Sequence, residues 1–230
     1  MRWMMVAVLI GSSSIRASDD FPKETHTITF LTVAQAADLV VAAKHDGNEE
    51  ALYLDGLTSI DQDVAQALVA FEGEYLSLNG LTSINQNVAR VLASFRGTNT
   101  INILSLDGLT SLDLPVAEEL AKFEGFTLYL GGLTSIDQHV ARALSRFRGT
   151  GMELRGLTSI DKKVAQEFAK YDGMGLSLRG LTSIDKDVAL ELSMFRKGTL
   201  ILLGLTSIDA ASLDLLKSNA AIRLPEQYHD

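Results

Sequence analysis

Leu76-Ser77-Leu78-Asn79-Gly80-Leu81-Thr82-Ser83-Ile84-Asn85-Gln86-Asn87-Val88-Ala89-Arg90-Val91-Leu92-Ala93-Ser94-Phe95 carries two hydrophobic periods in one short stretch. Leu76 and Leu78 alternate with Ser77 and Asn79, the pattern of a short strand buried on one side. Leu81 and Ile84 continue the apolar series through a turn. Val88, Ala89, Leu92 and Phe95 then fall at i, i+1, i+4 and i+7, one stripe of a short helix. Asn85 stands just before that helix, where a side-chain oxygen accepts the unpaired backbone N–H groups of the first turn, worth about 1 kcal/mol.

The same unit recurs along the chain. Gly-Leu-Thr-Ser begins at Gly56, Gly80, Gly108, Gly132, Gly156, Gly180 and Gly204, at spacings of 24, 28, 24, 24, 24 and 24 residues. The capping position reads Asp61, Asn85, Asp113, Asp137, Asp161, Asp185 and Asp209, a row of helix caps by residue type and not a row of metal ligands. A second glycine follows each helix, at Gly73, Gly97, Gly125, Gly149, Gly173 and Gly198, where a left-handed residue is commonly wanted. The longer spacing falls between Gly97 and Gly108, so the four extra residues belong to the turn 98–103. A single unit buries too little to stand alone, and lateral stacking must complete it.

These residues resemble a leucine-rich repeat of bacterial proteins, closest to the cysteine-containing, F-box-type subtype with its L-x-L-x-x-C-x-x-I-T-D segment. The likeness runs from about Leu31 to Leu224. It implies an α/β leucine-rich-repeat solenoid, with a parallel sheet on one, concave face and short helices on the other. Leu81 departs from the usual Asn or Cys at the turn, and Ser83 to Asn85 shift the register of Ile-Thr-Asp. The hydrogen-bonded ladder normally built there is expected from the Thr-Ser pair instead. A row of threonines is also a template for ordered water or polysaccharide. Short hydroxyls where a chain leaves a strand commonly bond the local backbone, however, so a structural role is expected here.

The units delimit the chain. Residues 51–208 form the array, 18–50 an N-terminal cap with a degenerate repeat, and 209–230 a C-terminal cap ending on Leu213, Leu216, Ile222, Leu224 and Pro225. Arg2, the apolar run Trp3 to Ile10, the polar break Gly11 to Ser14 and then Ile15-Arg16-Ala17 read as a secretory signal over residues 1–17. That places the mature chain outside the cell or in the periplasm or envelope; without a signal it is cytoplasmic. Beyond this run nothing reaches the roughly 18 apolar residues of a membrane span. Mean hydropathy is +0.16.

Composition excludes several functions. A formal charge of −9 and a pI of about 4.9 do not suit nucleic acid or anionic lipid. The absence of cysteine removes disulfides, thiolate metal sites and cysteine nucleophiles. His26, His45, His139 and His229 share no motif, and neither a phosphate-binding glycine loop nor a metal-ligand spacing is present. No catalytic constellation is legible, and the expectation is a non-enzymatic protein without cofactor or metal.

Function is expected where the units differ. The residue between the strand leucines reads Tyr53, Ser77, Ser105, Tyr129, Glu153, Ser177, Ile201, and the residue before the glycine reads Asp55, Asn79, Asp107, Gly131, Arg155, Arg179, Leu203. Both columns point away from the core. Tyrosine and arginine are common interface anchors. The candidate partner-binding residues on the concave face are therefore Tyr53, Asp55, Ser77, Asn79, Asp107, Tyr129, Glu153, Arg155 and Arg179. The helix faces, with Gln62, Asp63, Arg90, Glu118, Arg142, Lys162 and Lys163, read as an ordinary solvated side. Ile201 and Leu203 make the last strand apolar on both sides, to be covered by the tail 209–230 or by self-association with a second copy. The leading function is an exported module binding a protein or peptide. A structural spacer of the cell envelope without a dedicated ligand is the alternative, and an effector or enzyme regulator comes third.

Overall fold

A computed structural model describes residues 25–45, 50–97 and 101–228. The signal-like segment, and residues 98–100 of the inserted turn, lie outside the described residues. The chain is an α/β repeat solenoid. One sheet contains β1 (Ala51–Tyr53), β2 (Tyr75–Ser77), β3 (Ile103–Ser105), β4 (Thr127–Tyr129), β5 (Gly151–Glu153), β6 (Gly175–Ser177), β7 (Thr199–Ile201) and β8 (Ile222–Arg223). The strands lie in sequence order and are all parallel. Helices alternate with them: α1 (Val33–His45), α2 (Gln62–Leu68), α3 (Gln86–Leu92), α4 (Leu114–Leu120), α5 (Gln138–Leu144), α6 (Lys162–Phe168), α7 (Lys186–Ser193) and α8 (Ala210–Lys217). None of these helices is long and apolar enough to cross a membrane, among the described residues.

The core lies between the strand row and the helix row. In the unit quoted above, Leu76, Leu78, Leu81, Val88, Ala89, Leu92 and Phe95 are all buried, and the equivalent residues repeat this in every full unit. Each predicted cap works as one. The side chain of Asp61, Asn85, Asp113, Asp137, Asp161 or Asp185 accepts the N–H three residues on, at 2.8–3.0 Å. Asp209 accepts both the N–H and the hydroxyl of Ser212. Neighbouring helices are tied by Glu119, which accepts from Gln86, Arg90 and Lys122. The hydrogen bond from Lys122 is foremost in holding this carboxyl below the usual glutamate range.

The insertion leaves the sheet intact. Tyr75 still pairs with Ile103. Asn102, buried just before the strand, accepts the Gly97 N–H on its side chain and gives its carbonyl to Phe126 and Thr127.

Five of the six helix-following glycines, all but Gly198, act differently from the expectation. Of the described glycines only Gly198 has a positive φ, at 79°. The helices stop earlier, on caps in ordinary right-handed geometry such as Val69 and Ser145. Gly97, Gly125, Gly149 and Gly173 are needed because space has closed around them. A Cβ on Gly149 would overlap the ring of Phe147 and the carbonyl of Gly125.

Those rings form an aromatic column along the axis. Phe71 stacks on Phe95, and Phe123, Phe147, Tyr171 and Phe195 stack in series at 6.4–6.5 Å between centroids. Tyr171 puts a hydroxyl into this column with no hydrogen-bond partner among the described residues, and burial pushes its pKa far up.

The C-terminal end also differs. Leu200–Leu203 is not the last strand segment, because β8 pairs with β7 through Leu200↔Ile222 and Ile201↔Arg223 before Pro225 follows. The tail therefore extends the sheet instead of folding back over its outer face. Ile201 becomes half-buried beside Arg223, while Leu203 stays 40% exposed.

Candidate binding face on the outer side of the sheet

Alternation puts Leu52 and Leu54 into the core and Tyr53 and Asp55 outside, and so on along the array. Because the register is one-to-one, equivalent residues stack into columns along the axis. Parallel neighbours are about 4.8 Å apart. All nine sequence candidates lie on this one face, but they fall into two groups.

Asp55, Ser77, Asn79 and Asp107 belong to an internal polar ladder. Asp55 Oδ1 accepts the Ser77 hydroxyl at 2.5 Å and the Asn79 N–H at 2.9 Å. Asn79 Oδ1 in turn accepts the Ser105 hydroxyl at 2.7 Å and the Asp107 N–H at 2.8 Å. Asp107 Oδ1 accepts the Gly131 N–H at 2.5 Å, and Arg155 reaches its other oxygen. Asp55, Asn79 and Asp107 thus each satisfy a backbone N–H in the following unit. Ser77 and Ser105 are 1% exposed, and their hydroxyls are already taken up by Asp55 and Asn79.

This corrects the expectation that the Thr-Ser pair builds the ladder. Both residues of the pair are exposed in all seven units. Among the described residues, only Thr206 of these hydroxyls has a hydrogen bond, to the Thr182 carbonyl at 3.2 Å. The ladder sits one turn earlier because Asp55, Asn79 and Asp107 lie level with the next unit's N–H groups. The Thr-Ser side chains turn to solvent.

Tyr53, Tyr129, Glu153, Arg155 and Arg179 remain at least partly open. Tyr53 is 50% exposed and packs on Tyr75, ring centroids 5.4 Å apart and tilted by 40°. Tyr75 was not among the sequence candidates. It belongs to a third outward column, Ala51, Tyr75, Ile103, Thr127, Gly151, Gly175 and Thr199, found by carrying the two-residue alternation one step further back. Tyr129 is half-buried, and burial, followed by the nearby Glu153 carboxylate, raises its phenol pKa.

Arg155 crosses the face because Gly131 leaves room. A Cβ on Gly131 would lie 2.6 Å from Arg155 Nε and 2.7 Å from Asp107 Oδ1. Arg179 is exposed, and its guanidinium has no partner among the described residues. The face therefore changes along the axis. Its first half is aromatic, with acids locked in a ladder. Its second half holds Arg155 and Arg179, Arg223 on β8, and the apolar pair Ile201 and Leu203. Among the described residues no three His, Asp or Glu side chains gather as a metal site. Comparison of the chain with protein-family models and with characterised proteins returns no match.

Proposed function

We propose that this chain is an exported leucine-rich-repeat interaction module that holds a protein or peptide on the outer, concave face of its sheet. The observation that carries the reading is the pair of the exposed Tyr53 and the half-buried Tyr75 on the same sheet face as the unpaired Arg179. Tyrosine and arginine are enriched among the residues that dominate interface energetics, and on this face an otherwise regular repeat varies in side-chain chemistry. The acidic balance of the chain argues against nucleic acid as the partner. A spacer role for the cell envelope is the competing reading, and a spacer has no use for tyrosines and opposite charges on one strip.

Peptides selected from a displayed library against the full chain test the binding reading. They are expected to lose about tenfold or more in affinity on the Tyr53→Ala/Tyr75→Ala double variant, and nothing on Lys163→Ala at the helix surface. Selected ligands that ignore the double variant and respond to Lys163→Ala would move the site to the helices and end the proposal. Export rests on the signal-like residues 1–17. N-terminal sequencing of protein from its native host is expected to begin near Ser18, and an intact Met1 on intracellular protein would refute it.

A further inference from the structure

The ladder uses one local geometry twice. A side-chain oxygen from one unit lies between a serine hydroxyl and the N–H two residues further on in the next: Asp55 between Ser77 and Asn79, Asn79 between Ser105 and Asp107. Ser177 and Arg179 are the third pair of this kind. The residue that should offer them an oxygen is Arg155, which has five donors and no acceptor. Its side chain is also turned the other way, over Gly131 to Asp107. Ser177 is 2% exposed, and its hydroxyl has no hydrogen-bond partner among the described residues. The Arg179 N–H likewise receives no side chain from the preceding unit. A buried hydroxyl without a partner is uncommon in folded proteins and calls for an explanation.

We propose that the Ser177 hydroxyl and the Arg179 N–H form a site for one carboxylate oxygen of an acidic side chain in an extended peptide, which completes the ladder at the unit where the chain's own acceptor is missing. The proposal rests on the sheet face being a binding surface, and it names the chemistry of the ligand there. In two earlier units the same pair of donors is filled by an Asp or Asn side chain reaching across from neighbouring backbone, so the donors are already set for such a group. Arg179 carries an unpaired guanidinium, which favours negative charge nearby. The Arg155 guanidinium, in contrast, is engaged by Asp107, and Glu153, the register partner of Ser177, opposes an anion. The local field is thus too balanced to hold a free anion by charge alone, which favours a peptide that adds contacts of its own.

The test uses the full chain and a fluorescein-labelled, C-terminally amidated peptide of alternating Gly and Asp, followed by anisotropy. The Asp peptide is expected to bind about tenfold or more tightly than its Gly-Asn counterpart. Ser177→Ala should weaken it about fivefold or more without lowering the melting temperature, since that hydroxyl makes no bond in the free protein. Arg155→Asn gives Ser177 and Arg179 an internal amide oxygen, as Asn79 does for Ser105 and Asp107. It should raise the melting temperature by about 2–4 °C and abolish peptide binding. Arg155→Ala, which removes the guanidinium without filling the gap, should keep affinity within about fivefold of the parent. Equal binding of the Asp and Asn peptides, or parent-like binding by both Ser177→Ala and Arg155→Asn, overturns the proposal. If library-selected ligands that depend on Tyr53 and Tyr75 still bind while the Asp peptide does not, this site is refuted and the sheet-face reading stands.

Discussion

Phe147→Ala is expected to remove about 3–5 kcal/mol of stability. Phe147 is fully buried and is gripped on both sides, by Phe123 at 6.4 Å and Tyr171 at 6.5 Å. Gly149 has given up its side chain to admit the ring. The void left by truncation cannot collapse easily, because the stacked strands on one side and the packed helices on the other fix the spacing between units. Phe71 should cost less when truncated, since among the described residues it stacks on one ring, that of Phe95. The position of the loss matters as much as its size. In a solenoid each unit is stabilised by its neighbours, so a defect in the middle weakens two interfaces and divides the array. Urea unfolding followed by far-UV circular dichroism should show a lower midpoint for Phe147→Ala and a broadened or split transition. A single sharp transition, with less than about 1.5 kcal/mol lost, would show that the aromatic column is not a tightly packed core.

What the sequence made legible follows from the range of the interaction. The helix caps depend on a side chain and an N–H three residues away, so Asp137 could be assigned from its place before Val140. The buried stripes are equally local. The ladder was not legible, because the role of Asp55 is decided by the hydroxyl and N–H groups of Ser77 and Asn79, 22 and 24 residues later and brought alongside only by strand pairing. As an isolated outward acid, Asp55 looks like a binding residue. The helix-following glycines misled for a related reason: their local context signals a left-handed turn, whereas the constraint at Gly149 is the folded-back ring of Phe147 together with a carbonyl from the preceding unit. Tyr75 was missed because the alternation was started at Leu76, although the residue before it lies on the same outward side as Ser77. The open donors at Ser177 and Arg179 become visible only once Arg155 is seen to turn towards Asp107, a direction set by the missing side chain of Gly131.

Gly156→Ala and Gly175→Ala should have opposite signs, although each adds one methyl group at a junction between neighbouring units. At Gly156 the new Cβ would overlap the Gly131 carbonyl and lie 2.6 Å from the Leu133 carbonyl. Both are backbone atoms of the preceding unit, and neither can rotate away. Relief requires the fifth unit to move off the fourth, which strains the β4–β5 pairing and the Leu130 N–H to Glu153 carbonyl bond. A loss of about 3 kcal/mol or more is expected, at or beyond the upper end of ordinary overpacking because the obstacle is backbone. At Gly175 the nearest atom to a new Cβ is the Thr150 carbonyl, at 3.2 Å, and the added methyl joins the outer face of β6. A shift of a few tenths of an ångström accommodates it. The gain from restricting the unfolded chain, about 0.5–1 kcal/mol for glycine to alanine within a strand, then outweighs the strain. Thermal melts of the two variants beside the parent make the comparison directly. If Gly156→Ala melts within about 2 °C of the parent, which is less than 1 kcal/mol for a chain of this size, the anchor glycines are not fixed by close approach between units. The sevenfold repetition of Gly-Leu-Thr-Ser would then need another cause.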